Sequence, residues 1–116
     1  MKKILIVDDE EHIRLLYQED LNAAGFQALT AGSGEEAIAL YDKENPDLVT
    51  IDIEMPGMSG IELLRKLREK DKEKPIIIVT AYGEYKQDFS VWASDAYVTK
   101  SADTTEFVET VKKILT

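Results

Sequence analysis

Acidic, hydroxyl and amino side chains recur in this sequence directly after short apolar runs. Asp8, Asp9 and Glu10 follow Ile4-Leu5-Ile6-Val7, and Asp52 follows Leu48-Val49-Thr50-Ile51. Thr80 follows Ile76-Ile77-Ile78-Val79, and Lys100 comes just after Ala96-Tyr97-Val98. Two carboxylates ~4 Å apart repel by roughly 4 kcal/mol at an effective dielectric near 20, and a third adds to this. A fold keeps such a group only where a cation or a proton neutralises it. Oxygen-only ligands select a hard cation, Mg²⁺ ahead of zinc or copper, and Mg²⁺ usually shares its shell with phosphate oxygens and water. The set therefore points to phosphoryl chemistry. In such chemistry an Asp carboxylate would be the nucleophile, Mg²⁺ and Lys100 would neutralise the transferring oxygens, and Thr80 would hydrogen-bond one of them. Each residue alone has a plainer explanation: an Asp after a strand is commonly a turn or cap residue, and a lone Lys is a solvated charge. The plain explanation weakens because all of them fall after strands.

The elements that must position these groups are legible as patterns. The four apolar runs are rich in β-branched residues and do not alternate, which suits strands buried on both faces. A weaker run, Gln27-Ala28-Leu29-Thr30-Ala31, reads as a strand nearer an edge. Helical spacing covers Glu11 to Ala24, with Ile13, Leu16, Tyr17, Leu21 and Ala24 on one face and Gly25 as the stop. A second helix spans 34–44 with Ala37, Ile38 and Tyr41. Ser33 and Glu36 make a capping box before it, and Asn45-Pro46 ends it. A third spans 60–70 with Ile61, Leu64 and Leu67. In the last, Phe107, Val108, Val111, Ile114 and Leu115 share a face, with Asp103 and Glu106 as the expected cap. The stretch Tyr85–Ser94 is ambiguous: Phe89, Val91 and Trp92 line at best a poor helix.

Strands alternating with helices predict an α/β fold: a parallel five-stranded sheet with helices on both faces and right-handed crossovers. Such sheets place their sites beyond the carboxyl ends of the strands, where the acids, Thr80 and Lys100 fall. A chain of 116 residues suits one domain. Cysteine is absent and histidine is limited to His12, which excludes disulfides, thiol nucleophiles and a multi-histidine zinc site in this chain. With 14 basic against 23 acidic residues the net charge is −9, which argues against direct binding to nucleic acid or anionic membranes. No apolar run is long enough to span a membrane, and the start is too short in its apolar part for a signal peptide. A cytoplasmic location is expected.

The sequence resembles the receiver domain of two-component response regulators, over essentially its whole length. Asp8-Asp9 resemble the family's acidic pair. Asp52-Ile53-Glu54-Met55-Pro56-Gly57-Met58-Ser59-Gly60 resembles its phosphoacceptor loop and is the most specific match. Thr80-Ala81 resembles its hydroxyl and small residue, Lys100 its lysine, and Tyr97 its switch aromatic. The resemblance implies a single receiver domain over 1–116, with sheet order 2-1-3-4-5 and five helices, of the chemotaxis or sporulation single-domain type or part of a longer regulator. It implies that Asp52 accepts a phosphoryl group from a phosphohistidine on a sensor histidine kinase or a histidine phosphotransfer protein. It further implies that Asp9, Asp52 and the Glu54 carbonyl bind Mg²⁺ directly and Asp8 through water. Lys100 would pair with the phosphoryl group, Thr80 would move toward it and Tyr97 would turn inward. The product is a switched output face for a downstream protein, in a monomer or a weak phosphorylation-dependent dimer, with no catalysis beyond the domain's own phosphorylation and dephosphorylation.

Three departures stand out: Ser101 where the family usually has proline, a short Thr80-to-Lys100 interval, and Ser94-Asp95 in place of a Gly-Ala-type turn. The family's cis bond before proline would cost ~3–4 kcal/mol before serine, so a trans Lys100-Ser101 bond is expected. Two other functions compete. Gly32-Ser33-Gly34-Glu35-Glu36-Ala37 matches a dinucleotide-binding fingerprint, but it follows the second strand, and Glu35 and Glu36 would repel a pyrophosphate; both glycines read as turn residues. A phosphohydrolase with an aspartyl-phosphate intermediate would use Asp52-Ile53-Glu54, but Glu54 stands where its second Asp belongs, and no cap domain is present. In the family, the residues at Glu54 and Tyr82 flank the path of attacking water, and Tyr82 is bulky. Tyr82→Ala is expected to shorten the lifetime of the phosphorylated protein, followed by intact mass; an unchanged or longer lifetime would contradict this.

Overall fold

The computed structural model describes residues 1–81 and 94–116. The five strands are β1 (Lys3–Val7), β2 (Gln27–Ala31), β3 (Leu48–Asp52), β4 (Ile76–Thr80) and β5 (Ala96–Thr99). They form one parallel sheet in the order β2-β1-β3-β4-β5. Every residue of β3 and β4 is buried, which is why those runs do not alternate; β2, at one edge, is only partly covered, and so is β5, which is expected from its run to be buried on both faces but forms the other edge. Four helices belong to the described residues: α1 (Glu11–Ala23), α2 (Gly34–Glu44), α3 (Gly60–Lys70) and α4 (Thr105–Leu115). Except for Ser94, the ambiguous stretch Tyr85–Ser94 lies outside them, as does Tyr82.

The sheet has two apolar faces. On one, Leu5, Val7, Val49, Ile51, Ile76 and Ile78 meet Ala37 and Tyr41 of α2 and Leu63, Leu64 and Leu67 of α3. On the other, Ile4, Ile6, Ile77, Val79 and Val98 meet Tyr17 and Leu21 of α1 and Phe107 and Val111 of α4. The Tyr17 and Phe107 rings stack with centroids 4.3 Å apart, joining α1 to α4. Leu63, absent from the expected face of α3, is fully buried.

Local chemistry sets most helix ends. Ser33 Oγ accepts from Glu36 N, and Ser59 Oγ accepts from Glu62 N. The Glu36 carboxylate reaches back as expected, but to Gly32 N rather than to the cap residue itself. Asn45 ends α2 in the left-handed conformation. The expected Asp103/Glu106 cap of α4 is not formed. Thr104 holds the cap position without a side-chain bond, while Asp103 spends its carboxylate on Thr105 N and Oγ1, two residues on. Asp103 Oδ1 is thereby committed within its own turn and does not reach the N–H groups further into the helix.

Two glycines lie where α2 and α3 close on the sheet. Gly34 begins α2, and a Cβ there would meet Met58 Sδ at 2.5 Å. It is a packing glycine rather than a turn glycine. Gly60 begins α3, and its Cβ would meet the Asp52 carbonyl oxygen at 2.2 Å and Ile53 Cα at 2.6 Å. Backbone cannot yield as a thioether can. Gly60→Ala is expected to lower stability by about 1–3 kcal/mol, and Gly34→Ala by less, because Met58 is flexible. Urea midpoints at unchanged slope will check this; equal losses would contradict it.

Candidate functional site

The parallel register brings the sequence-predicted groups to one edge. Val7 pairs with Ile51, Asp52 with Val79, and Thr80 with Thr99, so Asp8, Asp52, Thr80 and Lys100 all lie at the carboxyl ends of neighbouring strands. Asp8 N donates to Ala31 O, and Lys100 N donates to Thr80 O, extending the ladder into the site. Asp8, Asp52 and Thr80 are buried; Asp9 and Glu10 are exposed.

Each buried acid is fixed by backbone. Asp8 Oδ1 accepts from Glu10 N at 2.9 Å, and the Asp8 carbonyl accepts from Arg14 Nη1 at 2.6 Å. The Asp52 carboxylate accepts from the Glu54 backbone N–H. Lys100 joins the set: its Nζ lies 2.9 Å from Asp8 Oδ2, 3.0 Å from Glu10 Oε1 and 3.3 Å from Asp52 Oδ2. The Lys100-Ser101 peptide bond is trans, and the long side chain still reaches the acids.

The electrostatics follow from this packing. Burial first, and the Asp8 charge second, push the Asp52 carboxyl up to about 6, against the pull of Lys100 and the Glu54 N–H. Burial pulls the Lys100 ammonium down, but bonds to Asp8 and Glu10 and the charges of Asp52 and Asp8 outweigh it, so it is held above its ordinary value. The hydrogen bond from Lys100, then its charge, holds Glu10 below the usual carboxylate range.

Carboxylate oxygens of Asp8, Asp9, Glu10 and Asp52 all lie within 4.8 Å of one another. This all-oxygen donor set fits a hard divalent cation such as Mg²⁺. The side chain of Glu54 is exposed and stands outside the group. Tyr97 pairs with Ile78 and packs against the α2/α3 side of the core. The ligand set that the resemblance implies includes neither Glu10 nor Arg14; the structure places Glu10 on Lys100 and Arg14 on the Asp8 carbonyl. The signal for Glu10 was present: an Asp accepting from the N–H two residues on curls the chain, and Asp8 does this to Glu10.

Comparison with known proteins identifies the family. The family model described as "Response regulator receiver domain" matches residues 4–112. Sporulation initiation phosphotransferase F of Bacillus subtilis is 40% identical, over 98% of this chain and 94% of that protein. The alkaline phosphatase synthesis transcriptional regulatory protein PhoP of the same organism is 39% identical, over 98% of this chain but 48% of its own length. Among solved structures, the response regulator TrrA of Thermotoga maritima in complex with Mg²⁺-BeF is 49% identical, with TM-score 0.94, covering 98% of this chain and 99% of that one. TrrA in complex with the histidine kinase ThkA is likewise 49% identical, with TM-score 0.93 and complete coverage of both chains. The chain belongs to the response regulator receiver domain family of two-component signalling. Among the described residues, no helix is long and apolar enough to cross a membrane.

The raised Asp52 carboxyl has a stability consequence. Between its ordinary 3.8 and about 6 the folded chain binds more protons than the unfolded one, so stability falls as pH rises through that window. Above it, the buried charge destabilises the metal-free protein by up to ~3 kcal/mol. Asp52→Asn in chelator is expected to gain about 1–3 kcal/mol near pH 7.5 and to lose most of that gain near pH 4. Equal stability of the two proteins at the higher pH, by urea unfolding, would contradict this.

Proposed function

We propose that Asp52 is the phosphoacceptor of a phosphorelay and that its donor is a phosphohistidine on a sensor histidine kinase or a histidine phosphotransfer protein. The observation that carries this is the buried Asp52 carboxylate held against Lys100 and beside Asp8 at the carboxyl edge of the sheet. An Asp52 oxygen attacks phosphorus in line, the phosphorus–nitrogen bond breaks, and its electron pair returns to the imidazole. Lys100 meets the negative charge on the phosphoryl oxygens, and the Thr80 hydroxyl bonds one of them. Asp8, Asp9, Asp52 and the Glu54 carbonyl are the residues that would hold Mg²⁺, which when bound supplies neutralisation of the phosphoryl charge. Support for the donor comes from TrrA, crystallised with a histidine kinase.

Residues 1–116 act as one receiver domain in the cytoplasm, catalysing only its own phosphorylation and dephosphorylation. The output is a downstream protein, reached through a face that Thr80 and Tyr97 reshape when the charge at Asp52 changes. Neither nucleic acid nor membrane is a direct partner, and the domain is a monomer or a weak dimer when phosphorylated. Family membership leaves the phosphohydrolase reading without support.

Incubation with acetyl phosphate and Mg²⁺ is expected to add one phosphoryl group by intact mass, and Asp52→Asn none. Millimolar Mg²⁺ is expected to raise the melting temperature of the native protein by mass action, and Asp9→Ala to abolish the rise. Persistent labelling of Asp52→Asn would overturn the acceptor assignment; a melting temperature indifferent to Mg²⁺ would overturn the metal site.

A further inference from the structure

An ammonium has three N–H groups to give, and three carboxylates take those of Lys100: Asp8, Glu10 and Asp52. The donor is saturated. A phosphoryl group on Asp52 brings new anionic oxygens, and Lys100 meets one of them only by releasing a partner. The partners differ in what release costs. The side chains of Asp8 and Asp52 are 3% and 4% exposed, so withdrawing the ammonium leaves a carboxylate in poor contact with water. The side chain of Glu10 is 46% exposed, and its released carboxylate is hydrated at once. Its second oxygen also has His12 Nε2 at 3.4 Å.

We propose that Glu10 is a positioning residue for phosphoryl transfer: it holds one N–H of Lys100 in the resting site and is the partner Lys100 gives up when the phosphoryl group arrives. This rests on the reading of Asp52 as the phosphoacceptor. Glu10 lengthens the reach of neither reactant. It sets how firmly the ammonium is held back, and so part of the barrier to engaging the phosphoryl oxygens. A neutral glutamine accepts a weaker bond than a carboxylate, so its release costs less.

The test is a double-mutant cycle on labelling by acetyl phosphate with Mg²⁺, timed by intact mass. In the step measured, an Asp52 oxygen bonds to phosphorus, the bond from phosphorus to the acetyl oxygen breaks, and acetate leaves with the electron pair. Glu10→Gln is expected to label about 2- to 5-fold faster than the native protein, the range for a half-exposed ion pair. In a Lys100→Met background, Glu10→Gln is expected to leave the slower rate unchanged. Equal acceleration in both backgrounds would mean that Glu10 acts only as a charge repelling the donor, and would overturn the proposal. Slower or unchanged labelling of Glu10→Gln with Lys100 present would overturn it too. A native protein that takes no phosphoryl group would instead refute the phosphoacceptor reading, and this inference with it.

Discussion

The constraint on which the rest depends is like charge held close at the rim of an apolar sheet. Asp8 and Asp52 are buried beside each other, and the cost of that appears in the raised Asp52 carboxyl. Such a pair persists only where the backbone beneath it cannot move aside. The sheet supplies this. β1, β3 and β4 are buried, parallel and in fixed register, so their carboxyl ends cannot splay without exposing both apolar faces. Gly60 tightens the arrangement, because it lets α3 close directly on the Asp52 backbone, with its N–H on the Ile53 carbonyl. Stability gained in the core thus offsets repulsion at the rim, and the rim keeps a field that favours a cation.

Much of this was legible in the sequence because the physical signals are local. Fully buried parallel strands lose alternation, so the apolar runs mark β1, β3 and β4 to within a residue; the run at β5 is as well placed but belongs to a half-covered edge strand, not to one buried on both faces. Ser33 marks the start of α2 and Asn45 its end; Ser59 caps α3 in the same way, though the expectation for 60–70 rests on apolar spacing alone. The acids, Thr80 and Lys100 could be placed on one rim because parallel topology leaves all carboxyl ends on one side. What escaped was set by choices between competing local bonds or by contact across the fold. Asp103 bonds Thr105 rather than capping further in, a choice of one turn geometry over another with the same residue types. Gly34 reads as a turn residue until Met58, distant in sequence, is placed against it. Leu63 is a fourth apolar position on α3, and only the depth of packing against the sheet decides that it is buried rather than flanking.

Lys100 shows how the fold absorbs a departure from its family's pattern. With serine after it, the trans bond avoids a strain of ~3–4 kcal/mol, and the lysine must reach the acids by its side chain alone. It has help at both ends of β5. Lys100 N bonds Thr80 O beyond the last strand residue, and Asp95 bonds Ile76 twice before the first, through its own N–H to Ile76 O and its carboxylate from Ile76 N. Arg68 of α3 then binds that same carboxylate at 3.0 Å. The Ser94-Asp95 dipeptide therefore stands in for a simple turn with a clasp that sets β5 against β4, so a strand of only four residues delivers its lysine in register.

Charge at the rim and order in the sheet are then one problem. The ammonium of Lys100 bonds acids from the ends of β1 and β3, while its backbone belongs to the end of β5 beside β4. Any change in negative charge at Asp52 alters the balance of forces on Lys100, and through the Lys100–Thr80 backbone bond it acts on the β4–β5 edge. That edge also carries Tyr97, one pair of rungs below Thr80 and packed on the α2/α3 side of the core. A redistribution of charge at the rim therefore bears on the sheet edge through the same residue that extends the β4–β5 ladder.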